Sequence, residues 1–121
     1  MNIILVGIGG FFGAMSRYFL SEKIKVKHHS FYPLETFFVN LIGAILLGVV
    51  IGGNYNYWLT TLLGDGFLGA FTTFSTFMRE GYTLFDRDLK HSIIYISFTI
   101  VLGILGFILG YQFIKVFKIF L

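Results

Sequence analysis

The sequence predicts an all-α membrane protein: a single domain over residues 1–121 with four transmembrane helices, the third broken mid-membrane. Three observations carry that reading. First, 56% of the residues are hydrophobic and only 12% are charged, about half of what a soluble domain uses to clothe its surface. Second, four apolar segments are separated by short polar stretches, and each is at least as long as the roughly 20 residues that cross a hydrocarbon layer at about 1.5 Å per residue. Third, one of those segments is interrupted by glycines and then by a run of hydroxyls and aromatic rings.

The first segment runs from about Asn2 to Ser21 and ends at the charged stretch from Glu22 to His29. It has no basic leader and no small-residue cleavage site, so it reads as a retained span. The second runs from about Tyr32 to Gly53, with Pro33 near its start, where a missing amide does least harm. Asn54 to Tyr57 makes a short turn. The third covers about Trp58 to Phe85, too long for one straight span, and carries Gly64, Asp65, Gly66 and Gly69. Irregular backbone at that depth survives only where protein or a water-filled cavity covers it. The fourth begins near His91, after Asp86 to Lys90, and runs to the end.

Composition also excludes. With no cysteine there is neither a disulfide framework nor a thiolate metal site. The net charge of +3 comes from cations flanking the apolar segments, where lipid phosphates rather than nucleic acid are the partner. Ser16, Ser75 and Ser97 have no His–acid partners in view, and no paired carboxylates lie within a span, so an intramembrane enzyme is not indicated. Lys23, Lys25, Lys27, Arg87 and Lys90 lie in the two odd-numbered connections, with Arg79 near the end of the third segment, against Lys115 and Lys118 on the other side. That bias favours the odd connections in the cytoplasm.

Small residues recur four apart at Gly9/Gly13, Gly10/Ala14, Gly48/Gly52 and Gly106/Gly110, flattening helix faces for close approach. Packing within one chain and packing between copies explain these faces equally well. The glycines at Gly7, Gly9 and Gly13 loosely match a dinucleotide-binding loop, but no strand precedes them and Phe11 and Phe12 lie between them.

Polar residues inside spans are costly and mark interiors or pathways. Arg17 reads either as a snorkelling interfacial cation or as a cation at the mouth of an anion path. Asn40, near the middle of the second segment, either glues two helices or offers amide donors to an anion, with glue the commoner case. Gly66 to Phe77 is the most unusual stretch: Thr72, Thr73, Ser75 and Thr76 alternate with Phe71, Phe74 and Phe77. Phe74 and Phe77 share a helical face, and ring edges carry partial positive charge. Edges and hydroxyls together replace water around a small anion. The same hydroxyls compete for backbone bonds and loosen the helix after Gly69, freeing carbonyls for a cation.

Gly9-Gly10-x-x-Gly13-Ala14-x-x-Arg17-Tyr18, then Asn40-x-x-Gly43 with Gly48, then Gly66-x-x-Gly69-x-x-Thr72-Thr73-Phe74-Ser75-Thr76-Phe77 resemble the Fluc (CrcB) fluoride channel family. The match covers three of the four segments in order. The resemblance implies a passive, fluoride-selective channel in the cell inner (plasma) membrane. It implies an antiparallel, dual-topology homodimer with two pores, which exports cytoplasmic fluoride and relieves its toxicity. It further implies that Phe74, Phe77 and Asn40 line the pore with Thr73, Ser75 and Thr76, and that Arg17 sits near a vestibule. Carbonyls of Gly69 and Thr72 would hold a structural Na+ at the dimer interface. Ala70 stands where family members often have a second glycine. Tyr95 and Thr99, four apart, are the candidates for a hydroxyl track in the fourth span, with Gly103 next on that face. A four-span cation exporter of the small-multidrug-resistance type is the main alternative, and the first span lacks the acid it needs. A non-transporting assembly subunit would leave the Thr/Phe run unexplained.

Overall fold

A computed structural model describes residues 2–27 and 33–121; His28 and His29, and Tyr32 at the expected start of the second segment, lie outside it. The described residues are helical, with no strand. The helices are α1 (Ile3–Lys27), α2 (Leu34–Gly52), α3 (Tyr57–Thr60), a π-helix (Thr61–Leu68), α4 (Gly69–Phe71), α5 (Phe74–Arg87) and α6 (Leu89–Phe120). Three of them, in α1, α2 and α6, are long and apolar enough to cross a membrane. The outer surface of α1 (Ile3, Ile4, Phe11, Phe12, Phe19) and that of α6 (Ile104, Leu109, Phe113) are exposed and apolar, as lipid contact requires.

Local chemistry fixes most boundaries. Pro33 precedes α2. Asn54 turns the chain at φ 55°, a left-handed conformation that asparagine tolerates. Asn56 caps α3 by accepting from the Leu59 amide at 3.2 Å. Asp88 separates α5 from α6: its Oδ1 accepts from the Lys90 amide at 3.0 Å, and its Oδ2 lies 2.6 Å from His91 Nδ1. The His91 hydrogen bond holds the Asp88 carboxyl below its usual value. A carboxylate so depressed contributes stability above the unfolded pKa of about 3.9 and loses it as pH falls through the lower folded value. Wild type is therefore expected to melt above Asp88→Asn near pH 5, since the amide keeps the cap but not the charge. The gap closes as melting temperatures are followed toward about pH 2.

The helices pair out of sequence order. α2 packs most extensively on α6, and α1 packs on the π-helix and α4. Glycines make both contacts. A methyl at Gly9 would stand 2.8 Å from the Phe67 amide nitrogen, and one at Gly13 would land on the Phe67 carbonyl. Likewise Gly48 meets the backbone of Phe107, and Gly110 the backbone of Ile45. These glycine faces therefore serve packing within the chain, whereas Ala14 is exposed. One buried cluster joins Val39 and Val50 of α2 to Leu68 and Phe71, and a second joins Phe77 and Leu84 of α5 to Tyr95 of α6. At the far end Lys118 donates to the Gly53 carbonyl and lies 4.6 Å from the Tyr55 ring centroid, tying the last turns of α6 to the α2–α3 connection.

Candidate functional site

The break falls after Gly69, where the hydroxyl run is expected to loosen the helix. Gly69 is helical (φ −60°, ψ −37°), and Gly64, Asp65 and Gly66 lie in the π-helix. The chain opens at Thr72 (ψ 162°) and Thr73 (φ −146°, ψ 118°), both extended. Two hydroxyls and one amide side chain produce this. Thr72 Oγ1 donates back to the Leu68 carbonyl at 2.9 Å, closing the first half-helix on itself. Thr73 Oγ1 accepts from the Thr76 amide at 3.3 Å and caps the second half. Between them, Asn40 pairs with the Thr73 backbone on both edges: Nδ2 donates to the carbonyl at 2.9 Å and Oδ1 accepts from the amide at 2.9 Å. The asparagine thus replaces the helical partners that Thr73 has lost. It serves as glue, and its second Nδ2 hydrogen remains for another acceptor.

Two grooves meet at this point. One, about 600 Å³, is lined by Asn40, Phe74, Phe77 and Met78 and by the α6 face that carries Thr99 and Gly103. The other, about 350 Å³, is lined by Asn40, Gly43, Gly64, Gly69, Thr72 and Thr73 among others, with Phe74 and Phe77 at its edge. Phe74 is 74% exposed and Phe77 only 5%, with ring centroids 6.2 Å apart. Phe77 in turn touches the Tyr95 ring at 5.5 Å. The residues singled out as Phe74, Phe77, Asn40, Thr73, Tyr95 and Thr99 are therefore brought together. Thr99 is a weaker donor than its position promised, because its hydroxyl is given to the Tyr95 carbonyl at 2.8 Å. Ser75 is exposed and Thr76 half-buried, and neither lines these two grooves. Arg17 reaches the break itself: Nη1 donates to the Thr72 carbonyl at 3.4 Å.

Beyond Phe77 the structure adds residues that the sequence reading did not single out. Thr36 of α2 donates to Glu80 Oε1 at 2.7 Å. Glu80 Oε2 and the Tyr95 hydroxyl are both buried and, among the described residues, have no hydrogen-bond partner. The available signal was spacing: Glu80 follows Phe77 by three, on the same helical face. Ser92 closes the end of this region by donating to the Gly81 carbonyl at 2.7 Å.

The break also leaves backbone oxygens outside the helical ladder. The Thr73 amide, four residues on from Gly69, is held by Asn40 rather than by the Gly69 carbonyl. Gly69 is exposed, and a methyl placed there would lie 3.8 Å from the Gly64 carbonyl. The Thr72 carbonyl already draws a guanidinium. No group of three His, Asp or Glu side chains is gathered among the described residues, so backbone oxygen is the ligand on offer. Oxygen-only donors at the C-terminal end of a half-helix fit a small hard cation such as Na+.

This arrangement has relatives. The family model described as CrcB-like protein, Camphor Resistance (CrcB), matches residues 4–111. A Clostridium acetobutylicum protein named Fluoride-specific ion channel FluC 2 is 45% identical over 111 residues, covering 91% of this chain and 95% of its own. A Bacillus cereus protein of the same name is also 45% identical, over 113 residues, 93% of this chain and 96% of that one. A Listeria monocytogenes protein named Fluoride-specific ion channel FluC 1 is 38% identical over 111 residues, 91% and 94% of the two chains. With its apolar helices, its groove at a broken helix and this likeness along nearly its whole length, the chain belongs to the CrcB-like family, multi-pass membrane proteins that are ion channels and not enzymes.

Proposed function

We propose that the chain is a fluoride-selective passive channel that lets cytoplasmic fluoride leave across the cell inner (plasma) membrane. The observation that carries this is the convergence of Asn40, Phe74 and Phe77 on one groove at the helix break. Phenylalanine edges and the spare Asn40 hydrogen offer partial positive charge without a fixed cation, which replaces water around a small hard anion and holds a larger, softer one less well. The broken third segment crosses the membrane as well, which makes four spans with α1, α2 and α6. The working unit is an antiparallel, dual-topology homodimer with two pores. The 74% exposure of Phe74 supports it, because a lipid-facing ring cannot bound a water-free path until a second copy covers it. Carbonyls of Gly69 and Thr72 from both copies hold the interfacial Na+, whose charge supplies a fixed positive field near the path.

Fluoride efflux from loaded proteoliposomes, followed with an electrode, tests the function, with Phe74→Ile and Phe77→Ile in parallel. Efflux from wild type and its loss in both variants is expected. Undiminished efflux in both removes these rings from the pore, and no efflux from folded wild type removes the function. Tag accessibility reads topology: a single orientation for all copies is incompatible with the antiparallel dimer.

Tyr95 marks the next donor along the path. Tyr95→Phe is expected to leave the melting temperature unchanged or raise it, because a buried hydroxyl without a partner costs stability. The same substitution removes a donor to a charged ion, so efflux is expected to fall about tenfold. Equal rates in the two proteins would take Tyr95 off the path.

A further inference from the structure

We propose that Arg17 and the interfacial sodium compete for one oxygen, the Thr72 carbonyl, so that Arg17 sets how tightly the cation is held; this rests on the sodium reading above. The two halves of the contact come from opposite ends of the fold. Arg17 lies in α1, two turns beyond Gly9 and one beyond Gly13, whose backbone-close packing on the π-helix fixes α1 against the broken segment. That packing brings the half-buried guanidinium to the break, where Nη1 donates to the Thr72 carbonyl at 3.4 Å. The carbonyl is available because the chain turns extended at Thr72 and leaves the helical ladder. The next carbonyl, that of Thr73, is different: Asn40 holds it at 2.9 Å. Among the described residues, Thr72 is thus the break carbonyl held by a long bond to a cation, while its neighbour is held by a short bond to a neutral amide.

A carbonyl oxygen has two lone pairs, so geometry alone would admit both cations. Charge opposes it. A guanidinium is permanently charged and a sodium ion on the same oxygen would stand a few ångströms from it, in surroundings poor in water. In the single chain Arg17 therefore fills the role of the cation. When sodium binds between two copies, Arg17 must swing off Thr72. A state that has to be vacated first lowers apparent affinity by the fraction of molecules already vacated.

The test is the sodium dependence of thermal stability, with sodium titrated against N-methylglucamine at constant ionic strength, for purified wild type, Arg17→Gln and Arg17→Lys. A ligand that binds only the folded state raises the melting temperature with concentration. The sodium midpoint is expected to fall about tenfold in Arg17→Gln, the scale of one charge-assisted hydrogen bond, and to fall less in Arg17→Lys, which keeps the charge. A midpoint that is unchanged or higher in both variants overturns the competition while leaving the sodium site standing. No sodium dependence in any of the three proteins removes the sodium site, and the competition with it. Should Arg17→Gln fail to fold, Arg17→Lys carries the comparison: a lower midpoint supports the proposal, and an equal or higher one overturns it.

Discussion

Asn40→Ala is expected to be among the most damaging single substitutions in the chain. It strips partners from both backbone groups of Thr73, each now bonded at 2.9 Å. An unpaired buried backbone group costs about 1–3 kcal/mol, so the pair together amounts to about 2–6 kcal/mol. Among the described residues no other side chain bonds either Thr73 group. The expected readouts are a large fall in melting temperature and loss of fluoride efflux. A variant that melts like wild type would show that the break is held elsewhere. A variant that melts like wild type yet conducts nothing would assign Asn40 to the ion alone.

Gly13→Ala should be comparably severe, and Gly7→Ala provides its control on the same helix. Alanine in place of a helical glycine ordinarily gains about 0.5–1 kcal/mol. At Gly7 a methyl meets nothing within 4 Å, so that gain should appear as a higher melting temperature. At Gly13 the methyl falls on the backbone carbonyl of Phe67, which no rotamer change can move aside. Forced separation of α1 from the π-helix costs about 1–3 kcal/mol, occasionally more, which outweighs the propensity gain. It also lifts Arg17 away from Thr72. Opposite signs for the two substitutions are the expected result; a matching sign would mean that α1 does not press on the π-helix as described.

Much of this was legible beforehand, and the parts that were not share a cause. Apolar length marked the helices because a bilayer imposes one length scale on every span. The shared face of Phe74 and Phe77 and the four-residue spacing of Tyr95 and Thr99 followed from helical periodicity; Phe74, Phe77 and Thr99 line one groove, and Tyr95 touches Phe77. A break after Gly69 was legible in the hydroxyl run, and the chain opens there, at Thr72 and Thr73. The clasp that holds it open was not. What decides is Asn40, 33 residues away, and no local signal records that partnership. Arg17 is a similar case: its position near the end of a span is equally consistent with lipid phosphate, and only the packing of Gly9 and Gly13 delivers it to the break. The run of residues from Glu22 onward read as a connection, whereas α1 continues through it to Lys27. Lys and Glu are good helix formers, and neither Gly nor Pro occurs between Glu22 and Lys27 to break the ladder.

The out-of-order pairing of helices, α1 with the π-helix and α2 with α6, has a consequence for biosynthesis. The glycine face of α2 belongs to α6, which is synthesised well after it. At roughly 5–20 residues per second, α2 waits several seconds in the membrane with that face covered only by lipid. α1 and the broken segment can settle together in the meantime, so the nascent chain should assemble its break before its scaffold. A chain truncated before α6 would then keep the Asn40–Thr73 clasp in reach while leaving α2 unpartnered, exposed to the quality-control proteases that patrol incomplete membrane proteins.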